Sequence, residues 1–273
     1  MNNRLKRVFG LLMTGMILAG GATGCADEIT PKKIITAMGE NIGGVTSFAN
    51  DVTVDVKLES VVHITEACME LQMESTLEPK ASHAQGTALV RLDDTKLESP
   101  MEIYYVTEDG GMATYSSLDQ VWTKEVSGEN NISTGITIDG DFLEKMEEVS
   151  DGFSLAEESV ELGDKECYEM YGEMTVNDLK GLVGEEMLYG YGLIEIPEKD
   201  AVDELVIPVI FDVYKDELLP ARIFVDMTDE MNVLYEEYGE TMNVNDFTID
   251  LKFLDYNQIE PIEVPEEVRK SVL

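Results

Sequence analysis

The sequence predicts an α+β domain: one long-stranded antiparallel sheet with an apolar face, and helices to cover that face. Three observations predict it. Long stretches alternate apolar and charged residues with a period of two. Three separate stretches show helical spacing instead. No low-complexity linker or short repeat divides the chain, so the elements read as one domain.

The first helical stretch runs from Thr30 to Ser47. Thr30 suits the cap and Pro31 the first turn, and Ile34, Ile35, Met38, Ile42 and Val45 recur at helical spacing. Alternation follows. Val52, Val54, Val56 and Leu58 point one way, and Asp51, Thr53, Asp55, Lys57 and Glu59 the other. Met69, Leu71 and Met73 oppose Glu70, Gln72 and Glu74, and Ala88, Val90, Leu92, Met101, Ile103 and Tyr105 continue the pattern. Tyr115–Val126, which holds the only tryptophan, Trp122, reads as one strand or a broken hairpin. A helix over Asp141–Val149 precedes strands near Ser154–Leu162 and Glu166–Thr175, the second turning Tyr168, Met170 and Met174 inward. Val176–Leu188 reads as helix and Gly190–Glu204 as loop. Strands return at Leu205–Tyr214, Ala221–Thr228 and Val244–Tyr256, the last with Phe247, Ile249, Leu251 and Phe253 on one face. One apolar and one charged face is the pattern of a sheet wetted on one side. Its greasy face needs a cover, and the three helices are available for it.

The N-terminus has its own chemistry. Arg4, Lys6 and Arg7 precede an apolar run from Val8 to Ala19, roughly a dozen residues where a bilayer needs about 20. The run ends in Ala22-Thr23-Gly24-Cys25. This resembles the lipobox of bacterial lipoproteins, with Ala22 where Leu is commoner. The resemblance implies a signal peptide over 1–24, a diacylglyceryl group with palmitate-type chains on Cys25, a short tether over 25–29 and one domain over 30–273. Attachment by acyl chains, at about 0.8 kcal/mol per buried CH2, is effectively permanent. The chain is then expected on the outer face of the bacterial cell membrane. An ordinary secretory signal with a chance cysteine is the competing reading.

Charge excludes one class of function. The chain carries 56 acidic against 19 basic residues, and loss of Arg4, Lys6 and Arg7 with the signal takes the net charge from −37 to −40. Phosphate backbones require a basic footprint, so nucleic acid is not a partner. An anionic membrane repels such a domain, which leaves the lipid anchor to hold it there.

Catalytic and metal signatures are missing. His63 and His83 stand singly in polar segments, where surface roles are the plain reading, and no ordered ligand spacing for a metal is seen. No Gly-rich loop joins a strand to a helix, and no cofactor is expected. Cys68 and Cys167 lack an evident histidine partner, so the chain is not read as an enzyme. Both cysteines read as lying on polar strand faces, and in an exported chain they form either one disulfide or two free thiols.

The order of elements is similar to the LolA/LppX/LprG superfold. Two stretches carry the resemblance: Ile34-Ile35-Thr36-Ala37-Met38 running through Ser47-Phe48 into Val52–Val56, and the C-terminal block from Leu219-Pro220-Ala221-Arg222 through Phe247–Ile259 to Ile262–Val268. It implies a curved half-barrel whose concave face is covered by helices, with a lipid or other amphipathic molecule bound between them. It brings no catalytic residue. An envelope protein-interaction or sensory module on the same fold is the alternative. Val54, Val56, Leu71, Met73, Ile103, Met170, Phe247, Ile249 and Leu251 are the expected inward, ligand-facing set. Methionine adds a hint: Met69, Met73, Met101, Met112, Met170 and Met174 on the inward face, with Met38, Met146 and Met187 in the helices, either fill a core or re-pack around a guest.

Overall fold

The computed structural model describes residues 29–108, 111–127, 138, 140–184, 188, 199–239 and 241–272. The signal, Cys25, tether residues 26–28 and Met187 therefore lie outside the described residues.

Thr30 caps the first helix, its hydroxyl accepting the Lys33 amide at 3.4 Å, with Pro31 in the first turn. This helix, α1 (Pro31–Ile42), stops at Gly43 rather than continuing to Ser47. The Gly43-Gly44 pair lowers helix propensity and frees the chain to turn into the sheet. The alternating stretches then form strands longer than their apolar marks suggested: β1 (Ser47–Ser60), β2 (Ile64–Leu77), β3 (Lys80–Leu92) and β4 (Thr95–Glu108). The tryptophan segment is a hairpin, β5 (Gly111–Leu118) and β6 (Val121–Ser127). Its two turn residues, Asp119 and Gln120, both have positive φ (52° and 65°), the geometry of a tight two-residue hairpin turn.

The helix α2 (Gly140–Val149) is followed by the short strands β7 (Ser154–Leu155) and β8 (Val160–Leu162), then by β9 (Lys165–Thr175). Thr175 caps α3 (Val176–Val183), which ends at Gly184 with φ +89°, short of Leu188. The stretch read as a loop over Gly190–Glu204 contains a helix, α4 (Lys199–Asp203). After β10 (Val206–Tyr214) and β11 (Pro220–Asp226) comes α5 (Thr228–Glu237), which the sequence reading did not foresee. Strand β12 (Met242–Leu254) and a C-terminal helix, α6 (Glu266–Ser271), complete the chain.

The twelve strands form one sheet in the order β6-β5-β4-β3-β2-β1-β12-β11-β10-β9-β7, with β8 also paired to β9, and every pair is antiparallel. The first and last strands are neighbours at the centre, Val54 opposite Ile249 and Val52 opposite Leu251. Helices α1 to α5 place Ile35, Met38, Phe142, Met146, Leu179, Val202 and Leu234 in one buried core with the concave, inner face. Helix α5 is pinned to β12 by Asn232, whose Oδ1 accepts the Val244 amide and whose Nδ2 donates to the Val244 carbonyl, each at 2.7 Å. At the crossing of α1 and α2, a Cβ on Gly39 would stand 2.5 Å from Leu143 Cδ2, so the small residue permits the close approach.

The outer face is not uniformly wet. Tyr104, Val106, Ala113 and Tyr115 form a second buried patch on it, covered by Val264 and Val268 of the C-terminal segment. A third patch holds Cys167, Tyr214 and Ala221. Cys167 is thus fully buried rather than on a polar surface. The disulfide does not form: Cys68 on β2 and Cys167 on β9 are free, five strand spacings apart along the outer face. At ~4.8 Å per spacing that is about 24 Å, against the ~7 Å limit between bridged Cα atoms. Among the described residues no helix is long and apolar enough to cross a membrane.

Candidate functional site

Period-two alternation sends every second residue of β1, β2, β4, β9 and β12 to the inner face. All nine residues expected there arrive together. Val54, Val56, Leu71, Met73, Ile103, Met170, Phe247, Ile249 and Leu251 belong to one continuous cluster, none more than 6% exposed. Met69 and Met174 are buried with them, and Met101 and Met112 pack at the edge. Aromatic rings close the two ends: Phe48 tilts against Phe253 at 6.1 Å, and Phe142 of α2 against Phe211 of β10 at 6.2 Å. The cover consists of short helices tied by side chains, not by strand ladders. Lys145 of α2 reaches Asp178 of α3 at 2.8 Å, and Lys180 of α3 reaches Asp203 of α4 at 2.5 Å.

One residue does not belong in such an interior. Asn50 shares the inner-face parity of Phe48 and Val52, stands opposite Met73 and Phe253, and is 1% exposed. Among the described residues neither its Nδ2 nor its Oδ1 has a hydrogen-bond partner. An amide left so costs about 1–3 kcal/mol. A guest that presents a carbonyl or hydroxyl oxygen satisfies both atoms, since the amide donates through nitrogen and accepts through oxygen.

The outer face carries a second arrangement. Strand register aligns Glu169, Asp212, Arg222, Lys252 and Asp51 on successive strands from β9 to β1, and Gln72, Gln85, Glu102, Ser117 and Trp122 continue from β2 to β6. One polar row therefore crosses ten strands. Around β1 to β5 it borders a groove of about 720 Å3. Farther along, Asp212 is fully buried, and among the described residues neither carboxylate oxygen has a hydrogen-bond partner. Burial, then the Glu169 charge, pushes its carboxyl up to about 7. The two histidines have structural partners. His63 Nδ1 lies 2.7 Å from Asp93 and joins the β1–β2 turn to the β3–β4 turn, while His83 stacks on Tyr104 at 4.2 Å. Among the described residues no group of three or more His, Cys, Asp or Glu side chains is arranged to hold a metal ion.

A family model described as "Family of unknown function (DUF6612)" matches residues 30–272. The chain belongs to the DUF6612 family. No curated protein matches its sequence. Among solved structures, LprF from Mycobacterium bovis aligns with TM-score 0.51 and 13% identity, over 86% of this chain and 96% of that one. A DUF1329 protein from Desulfovibrio piger (TM-score 0.26, 10% identity, 85% and 93% covered) and a β-barrel-like DUF1849 protein from Brucella abortus (TM-score 0.24, 7% identity, 79% and 99% covered) also align. The likeness to LprF shows the fold: this DUF6612 domain shares the half-barrel architecture that the LolA/LppX/LprG resemblance implied.

Two residues of the DUF6612 domain escaped the sequence reading. Asn50 sits at an inward position of β1, two residues before the Val52–Leu58 series and in its phase. A polar residue in the apolar phase was the available signal. Asp212 interrupts Val206–Tyr214 on the opposite face and looks in sequence like an ordinary solvated carboxylate.

Proposed function

We propose that the protein is a membrane-anchored, extracytoplasmic lipoprotein that binds a lipid or similar amphipathic molecule, without catalysis, between the inner face of the sheet and its helices. The observation that carries this is Asn50: an amide with two atoms unpartnered among the described residues, opposite Met73 and Phe253, in an interior where the buried Ser75 and Ser82 hydroxyls pair with each other. Acyl chains replace helix–sheet contacts with equivalent apolar contacts at about 25 cal/mol per Å2, so exchange is cheap in hydrophobic terms. The methionines re-pack around chains of differing shape. The ester or hydroxyl oxygen beside the chains pairs with Asn50. Entry proceeds by displacement of α1 to α3: the Lys145–Asp178 tie between α2 and α3, and the tie from Lys32 of α1 to Asp151 in the turn after α2, are partly exposed and therefore weak.

The close filling of the inner face favours a second reading, a protein-interaction module with a permanently closed core. A fluorescent diacylglycerol probe separates the two. Saturable one-to-one binding, weakened at least about fivefold by Asn50→Leu, is the result expected of the binder. Absence of saturable binding in the wild type moves the assignment to the interaction module.

A further inference from the structure

The groove on the outer face has its own chemistry, separate from the interior. Amides line it at Gln72, Gln85 and Gln120, and hydroxyls at Thr53, Thr87 and Ser117. Ser117 is only 6% exposed, lines the groove, and its hydroxyl makes no side-chain hydrogen bond among the described residues. The Ser117 hydroxyl is open to solvent from the groove side, where a ligand can exchange with water. Beneath the groove, glycine at 86 lets β3 lie close to β2, since a Cβ there would meet the Glu70 carbonyl oxygen at 1.9 Å.

Charge narrows the ligand. Among the described residues Asp51, Glu70 and Glu102 border the groove against a single cation, Lys252, so phosphates and carboxylates are repelled. Glu102 is set in place, accepting from the Tyr104 hydroxyl at 2.8 Å with His83 Nε2 at 3.1 Å. What remains is a set of fixed acceptors interleaved with amides and hydroxyls that both donate and accept. That set matches vicinal hydroxyl groups, each of which also donates and accepts. The rungs Asp51, Gln72, Gln85, Glu102 and Ser117 repeat at the strand spacing of ~4.8 Å, close to the advance per residue of an extended glycan. At the end of the row Trp122, opposite Ser117 and 6.0 Å from the Tyr104 ring, borders the groove's neighbouring apolar patch and reports on its surroundings.

We propose that this groove binds a short, uncharged glycan chain lying across β1 to β5. A volume of about 720 Å3 is in the range of small-ligand sites. The site is independent of the interior, so the protein holds a lipid on one face of its sheet and a sugar on the other.

The test is titration of the purified full-length protein, in a non-glycosidic detergent, with chitotetraose and with cellotetraose. Heat of binding and the fluorescence of Trp122, the only tryptophan, are both followed. Saturable binding of at least one tetrasaccharide is expected, weakened about tenfold or more in Gln72→Ala/Gln85→Ala and severalfold in Ser117→Ala. Both glutamines are exposed, so the double variant folds. Asn50→Leu leaves this binding unchanged, which separates it from the interior reading. No saturable signal with either sugar, or binding indifferent to the double variant, overturns the proposal. So does preferential binding of tetralysine, which would make the groove an acidic peptide site.

Discussion

Asp212 and Arg222 stand directly opposite each other on β10 and β11, yet the Arg222 guanidinium clasps Asp250 instead, Nε to Oδ1 at 2.6 Å and Nη2 to Oδ2 at 2.9 Å. Asp212 is left enclosed beside Glu169, without a hydrogen-bond partner among the described residues. Its carboxyl, pushed up to about 7, holds a proton more tightly folded than unfolded. Its contribution to stability is therefore fully present below about pH 4 and is lost as pH rises through about 7. Asp212→Asn removes that loss. Urea titrations at pH 8 should find the variant more stable than wild type by on the order of 3 kcal/mol, with the gap closing toward pH 4.5. Equal stabilities at both pH values contradict the assignment.

Removing the other partner has the opposite sign. Arg222→Gln leaves Asp250 without its clasp and Asp212 and Glu169 without a nearby cation. Chemical denaturation at pH 7 should show a loss of about 2–4 kcal/mol.

The C-terminal helix is a lid on the outer apolar patch. Arg269 bonds Glu108 and lies 3.3 Å from the Tyr115 hydroxyl, and Lys124 reaches Glu108 at 2.8 Å. Burial raises the Glu108 carboxyl, but Lys124, Arg269 and Tyr115 together outweigh it and hold it low. Arg269→Ala should cost about 1–2 kcal/mol. Deletion of residues 262–273 should expose Tyr104, Val106 and Tyr115, read as a rise in binding of a hydrophobic dye.

Burial first, then the hydrogen bond and charge of Asp55 for Cys68 and the charge of Asp212 for Cys167, push both thiols up to about 12. The native protein should react slowly with a thiol reagent at pH 8. After unfolding without reductant, both should react at once. A chain that shows neither thiol on unfolding contains the disulfide that the strand order forbids.

The inner face was legible because it obeys period two over long stretches: a reader who marks Val52 to Leu58 and Phe247 to Phe253 has marked the central strand pair. Helix α5 was harder. Its apolar positions, Met231, Leu234 and Tyr235, are few and sit among acidic residues, so the packing against β12 decides it rather than propensity. Helix α6 buries only Val268 and is held by the patch beneath. The β5–β6 turn uses Asp119-Gln120 where Asn-Gly would have announced itself. Asn50 and Asp212 are the informative failures. Burial without a partner depends on which strands become neighbours, and no local pattern encodes that.

Asn50 also gives a pair of opposed effects. Leucine of similar size at this position removes an unsatisfied amide from the core. Asn50→Leu should raise the stability of the ligand-free protein by about 1–3 kcal/mol while lowering the amount of lipid retained. A variant less stable than wild type would show that the amide is satisfied in the free protein.

The most direct test of lipid binding is native mass spectrometry, with lipid extraction, on the domain from Ala26 onward purified from cells. The predicted result is a co-purifying lipid near one-to-one stoichiometry, reduced in Asn50→Leu. A clean ligand-free mass, unchanged after incubation with membrane lipids, would contradict it.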